Sequence, residues 1–240
     1  MIRMLTIAAV ALAASACHVG AEAEERDPGS SVTRTFQLGA FDKIAVAGPY
    51  EVKVTTGSRP GASATGGSNL LDETEVVVEG DTLKIRPKKK NGIRWSWGKR
   101  GKAEFTVTTA MLHGAEIAGS GGISVDKVDG DFKGEVAGSG NLKLAAVNGG
   151  AVEIAIAGAG KVAAAGKSAS TKIEIAGSGD VDASGLAART ADVSIAGSGN
   201  VQANASDSAK VDIAGSGNVT VTGGAKCDVS KAGSGNVTCG

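Results

Sequence analysis

Aromatic side chains are scarce in this chain: Phe, Tyr and Trp make up 3% of its 240 residues. Large rings supply much of the buried area of a wide core, so the core here must be thin, which suits a narrow coil of chain better than a sandwich. Histidine is almost absent, with only His18 and His113, and no Cys/His cluster has zinc spacing. Net charge is zero, which argues against general nucleic-acid binding. The one long apolar run, Met4 to Ala16, is too short to span a bilayer, where about 20 residues are needed. No helical segment of consequence follows it.

What the chain has instead is repetition. Tetrapeptides begin at Ala118, Ala137, Ala157, Ala176, Ala196, Ala214 and Ala232, at spacings of 19, 20, 19, 20, 18 and 18 residues. All read Ala-Gly-Ser-Gly except the third, Ala-Gly-Ala-Gly. A fixed period of this length signals a small unit stacked on copies of itself. Short alternating runs flank each tetrapeptide, such as Ile154-x-Ile156 and Ile173-x-Ile175 before it, and Leu142-x-Leu144 and Val201-x-Ala203 after it. Period-two alternation of branched residues reads as strand, and the glycines permit a tight bend between strands. One unit cannot bury its inner face alone. Stacking in register does so, with each strand pairing in parallel with its counterpart. The expectation is an all-β, single-domain β-solenoid, a parallel β-helix that is right-handed by the crossover rule, with coils of about 19 residues.

The residue after each bend is Gly122, Asn141, Lys161, Asp180, Asn200, Asn218 or Asn236. In register, Asn141, Asn200, Asn218 and Asn236 share one edge, where stacked amides can bond from rung to rung. Two readings stand: these residues satisfy the bends, or they form a polar ladder that binds sugars.

Residues 1–16 have the charge and apolar pattern of a signal peptide, 17–32 form a charged tether, and 33–240 form the domain. An irregular half at 33–115 precedes the regular repeats at 116–240. Within the irregular half, the Gly/Ser/Ala-rich stretch from Gly57 to Ser68 reads as a loop. Leu12-Ala13-Ala14-Ser15-Ala16-Cys17 resembles a bacterial lipobox, with Ala14 where Leu is usual. Cys17 would then carry lipid and place an outer-membrane lipoprotein facing the periplasm or the surface; simple cleavage would leave a soluble periplasmic or secreted protein. Three cysteines are an odd number. With Cys17 lipidated, Cys227 and Cys239 remain as a pair that can close the last coil by a disulfide, the alternative being two free thiols.

Phe41-Asp42-x-Ile44-x-Val46-x-Gly48, followed by Val52-x-Val54, resembles the opening of the head GIN domain family. Asn69-Leu70-Leu71-Asp72, Asp81-x-Leu83-x-Ile85 and the Gly-Ser-Gly repeats are similar to its later blocks. Thr109-Ala110-Met111-Leu112 departs from the family, which often has proline before that leucine. The resemblance runs from about Thr33 to Gly240, and its opening motif with the repeats is more specific than the repeats alone. It implies an exported bacterial β-helical domain, labelled as an autotransporter adhesin head, with no catalytic residues to carry over.

Chemistry is thinly marked. Asp126, Asp129 and Asp131 lie close in sequence, with Asp180 and Asp182 elsewhere. They fit turns and outward positions better than the paired carboxylates of a glycosidase. The most suggestive stretch holds Arg94, Trp95, Trp97, Lys99 and Arg100 beside further lysines. It is either a binding loop that stacks on sugars or settles on anionic lipid headgroups, or a hairpin that caps the solenoid. No cofactor or metal is implied. Of three function classes, an adhesin-like or polysaccharide-binding module ranks first. A scaffolding envelope lipoprotein with protein partners ranks second, and an enzyme last. Nucleic acid is not an expected partner, and the membrane is met only through the lipid anchor.

Overall fold

The computed structural model describes residues 27–57, 59–88 and 102–240. Among these residues twenty strands belong to one sheet. In chain order they are β1 (Ser31–Phe36), β2 (Lys43–Ala47), β3 (Tyr50–Thr56), β4 (Gly61–Gly67), β5 (Thr74–Glu79), β6 (Thr82–Pro87) and β7 (Ala103–Thr109). Next come β8 (Gly114–Gly119), β9 (Gly122–Val125), β10 (Val128–Asp129), β11 (Phe132–Gly138), β12 (Asn141–Asn148), β13 (Ala151–Gly158) and β14 (Lys161–Lys167). The last are β15 (Ser170–Gly177), β16 (Asp180–Gly197), β17 (Asn200–Gly215), β18 (Asn218–Thr222), β19 (Lys226–Ala232) and β20 (Asn236–Cys239). Among the described residues one short helix, α1 (Ser68–Asp72), buries Leu70 and Leu71.

The strands stack as two parallel ladders. Face A runs β6, β2, β8, β11, β13, β15, the second half of β16, the second half of β17, and β19. Face B runs β7, β3, β9, β12, β14, the first half of β16, the first half of β17, β18 and β20. Short pairings at Val128, Val147, Gly166 and Leu186 close the third side. This is the expected β-solenoid, with coils of roughly 19 residues.

The core is a set of stacked columns. Ile154, Ile173, Val193 and Val211 pair rung to rung on face A, and Val162, Val181, Val201 and Val219 on face B; all are buried. Full burial of each branched side chain contributes about 1.5–3 kcal/mol. At the N-terminal end the columns hold larger groups. Tyr50 meets Phe105 edge-on with ring centroids 5.5 Å apart, and its hydroxyl lies 3.0 Å from Thr74 Oγ1. Burial raises the Tyr50 pKa above the ordinary phenol range.

Each bend depends on its glycines at two points. Gly197 has φ +137°, and a Cβ there would lie 2.1 Å from the carbonyl oxygen of Gly177 one coil earlier. Gly199 has no such φ, but its Cβ would come within 2.3 Å of the Gly179 oxygen. The bends therefore touch backbone to backbone, with Ser198 N donating to Gly177 O at 2.8 Å. The bend serines Ser139, Ser178 and Ser216 likewise donate their backbone N–H groups to the carbonyls of Gly119, Gly158 and Gly197 one coil earlier.

Coil order departs from chain order at the N-terminal end. β6 and β7 follow β2 and β3 in sequence but lie outside them, so β2 and β3 are enclosed between β6/β7 and β8/β9. The stretch Gly57–Ser68, expected to be a loop, contains strand β4, antiparallel to both β7 and β1. Its small residues fill a tight position: a Cβ at Gly66 would lie 2.9 Å from Ala103 Cβ, and one at Gly67 only 2.1 Å from the Pro28 oxygen. β5 covers β6 in antiparallel fashion. The open end of the rod is thus capped.

The C-terminal end is closed differently. Cys227 and Cys239 form a disulfide. Lys231 takes the register position that Ile213 holds one coil earlier and donates to Gly235 O at 2.9 Å. A cation at an inward position of the last coil opposes the edge-to-edge pairing that a bare solenoid end invites. Val229 remains 44% exposed there.

Candidate functional site

In a parallel, in-register stack every outward residue joins a column, so a surface property is set once per coil. On face B one column runs Glu104, Glu51, Gly122, Asn141, Lys161, Asp180, Asn200, Asn218 and Asn236. Like charges stacked directly would repel, and most of this column alternates or is neutral. Its distal half is hydrogen-bonded from rung to rung. Asn200 Nδ2 donates to Asp180 Oδ1 at 2.9 Å, and Asn218 Nδ2 donates to Asn200 Oδ1 at 2.9 Å. Asn236 N donates to Asn218 Oδ1 at 3.2 Å.

The proximal half is open. Gly122 puts no side chain between Glu51 and Asn141, and the neighbouring column has Ser124 and Ala163 on either side of Lys143. These small residues leave a groove of about 350 Å³ bordered by Glu51, Asn141, Lys143, Lys161, Asp180 and Asp182. Lys161 and Asp180 stand 3.8 Å apart, while Asp182 Oδ1 accepts from the Ser184 hydroxyl at 2.6 Å. The groove thus presents carboxylate, carboxamide, ammonium and hydroxyl groups within a few rungs of one another. Glu51, Lys143, Lys161 and Asp182 went unnoticed as a group in the sequence. Aligning the coils at their bends would have shown that Gly122, Ser124 and Ala163 leave a gap among larger polar residues.

The clustered aspartates Asp126, Asp129 and Asp131 have structural partners. Asp126 accepts from Thr56 N at 3.0 Å and from its hydroxyl at 2.9 Å. Asp131 Oδ1 accepts from Ala151 N at 2.7 Å. Lys127, 2.7 Å away, and Asn148 hold the Asp129 carboxyl below its ordinary range. His113 Nδ1 lies 3.1 Å from Asp131 O. Among the described residues no three His, Cys, Asp or Glu side chains converge as a metal site. Nor is any helix there long and apolar enough to cross a membrane. Cys17 lies outside the described residues, as do Arg94, Trp95, Trp97, Lys99 and Arg100.

Solved structures share this architecture. A putative adhesin from Bacteroides fragilis NCTC 9343 superposes with a TM-score of 0.79 at 21% identity, covering 89% of this chain and 99% of that one. A putative lipid binding protein from Parabacteroides distasonis ATCC 8503 gives 0.72 at 25% identity, covering 90% and 100%. A putative adhesin from Parabacteroides merdae ATCC 43184 gives 0.66 at 18% identity, covering 89% and 98%. No protein of curated function matches the sequence. The family model described as "Putative auto-transporter adhesin, head GIN domain" matches residues 40–225, and the chain belongs to that family.

Proposed function

We propose that this chain is a non-enzymatic, adhesin-like module of the bacterial cell envelope that binds polysaccharide along face B. The groove bordered by Glu51, Asn141, Lys143, Lys161 and Asp182 carries the reading. Sugar hydroxyls donate and accept, and this groove offers acceptors and donors side by side without one dominant charge. Each such hydrogen bond is worth only about 0.5–1.5 kcal/mol net. Affinity would therefore come from a polymer that meets equivalent positions on several rungs. The adhesin names carried by similar structures support the class; the lipid-binding name of another makes anionic vesicles the natural comparison ligand. Export and anchoring through Cys17 belong to the same proposal, and the intact mass of membrane-extracted protein tests them.

Calorimetric titration of the mature chain with size-graded envelope polysaccharide fragments tests the reading. Binding should saturate and tighten with fragment length. Asn141→Ala, Lys161→Ala and Asp180→Ala together should weaken it about tenfold or more, which corresponds to roughly 1.4 kcal/mol. No binding to any glycan, or binding indifferent to these changes, overturns it.

A further inference from the structure

Face A carries charge in a two-coil rhythm. One outward column runs Lys133, Glu153, Lys172, Asp192, Lys210 and Asp228 over consecutive rungs. The column two residues on runs Glu135, Ala155, Glu174, Ser194, Asp212 and Ser230. Rungs with lysine neutralise themselves: Lys133 meets Glu135 at 2.6 Å, Lys172 meets Glu174 at 2.8 Å and Lys210 meets Asp212 at 2.9 Å. These hydrogen bonds hold the three ammonium groups above the ordinary lysine range. Rungs with an acid in the first column have Ala or Ser in the second. Glu153, Asp192 and Asp228 therefore have no ion-pair partner within 4 Å among the described residues and act on the lysines of the adjacent rungs only across the longer rung-to-rung distance. The face is acidic, with an unpaired carboxylate on alternate rungs about 10 Å apart. Between the columns and the alanines of the bends lies a groove of about 380 Å³ floored by Ala137, Ala155, Ala157 and Ala176.

The complementary charge is in the same chain. Residues 88–102 hold Lys88, Lys89, Lys90, Arg94, Lys99, Arg100 and Lys102, with no Asp or Glu, in a protein whose net charge is zero. The described ends of that stretch, Lys88 and Lys102, adjoin β6 and β7 at the first rung. The segment between them, tied at both ends, carries its backbone at most about 25 Å from that rung and a cationic side-chain tip about 6 Å farther. At about 4.8 Å per rung, Asp192 and Asp228 lie roughly 29 and 38 Å along the rod. A chain's own basic stretch stops short of Asp228 at the far end of the face, while a second copy's does not. We propose that face A is the docking surface for the basic stretch 88–102 of a second copy of this chain. The contact joins two different patches, so it can propagate from copy to copy, and it leaves the face B groove open.

Sedimentation of the mature chain at low ionic strength and at about 1 M salt, where screening acts within ~3 Å, tests this. The wild type should self-associate at low salt and sediment as a single chain at high salt. One variant neutralises the face (Glu153→Gln, Asp192→Asn, Asp228→Asn). Another neutralises the stretch (Lys89→Gln, Lys90→Gln, Arg94→Gln). Each should be monomeric alone, with an unchanged circular dichroism spectrum. Their mixture should form a heterodimer, because one supplies an intact stretch and the other an intact face. A wild type that is monomeric at low salt, a variant that still self-associates, or a mixture that stays monomeric overturns the proposal.

Discussion

At the scale of single residues, the bends are where side-chain identity is least negotiable. Gly197 combines φ +137° with a carbonyl 2.1 Å from where a Cβ would sit. Gly197→Ala should cost at least about 2 kcal/mol, since backbone strain of ~1–2 kcal/mol adds to the clash; denaturant titration of the mature chain measures it. The glycines were legible from the sequence because a tight bend needs them. Which of the two serves conformation and which serves close approach was not, because that distinction depends on the neighbouring coil. Exposed carboxylates set a second residue-scale expectation. Hydrogen bonds from Lys43 and Thr82 hold Asp81 below its ordinary pKa, and those from Lys84 and Arg86 do the same for Glu79. A carboxyl whose pKa is lowered by folding contributes stability that is present at neutral pH. That contribution is lost as pH falls below the unfolded value near 4. Unfolding midpoints should therefore decline between neutral pH and about pH 3, and less steeply in Asp81→Asn.

At the scale of elements, the two ends of the rod solve the same problem with different means. β1, β4 and β5 cap one end by antiparallel pairing. The other relies on the Cys227–Cys239 disulfide and on Lys231 in an isoleucine column. The loop closed is short, and its constraint is worth about 3 kcal/mol in the chain-entropy account. Cys227→Ser/Cys239→Ser should remove amide exchange protection from β19 and β20 while leaving β13 and β15 unchanged, as read by hydrogen exchange. The pairing of the cysteines was legible because both fall in one coil and in phase with Val229 and Val237. Strand β4 was not legible: Gly, Ser and Ala look like loop, and only the closeness of Pro28 and Ala103 explains them. The inserted position of β2 and β3 was equally hidden, because strands of similar length and composition do not specify which neighbour they choose.

At the scale of the whole molecule, stacking turns a choice of one residue per coil into a surface tens of ångströms long. The 19-residue period made the solenoid legible, and the residue after each bend made the Asn column legible. The groove was not, since it arises from absence: Gly122, Ser124 and Ala163 leave space that Glu51 and Lys143 border from other coils. Face A's alternation has a period of two coils, which a single-coil reading averages away. The molecule thus offers two long faces of different character, one mixed and amide-rich, the other acidic over an alanine floor. The measurement that tests the central claim most directly is an amide exchange footprint of the mature chain with and without a saturating envelope polysaccharide fragment. The account predicts new protection on β9, β12, β14 and the first half of β16, the strands that carry the face B groove. Protection confined to face A, or none at a concentration that saturates binding, would contradict it.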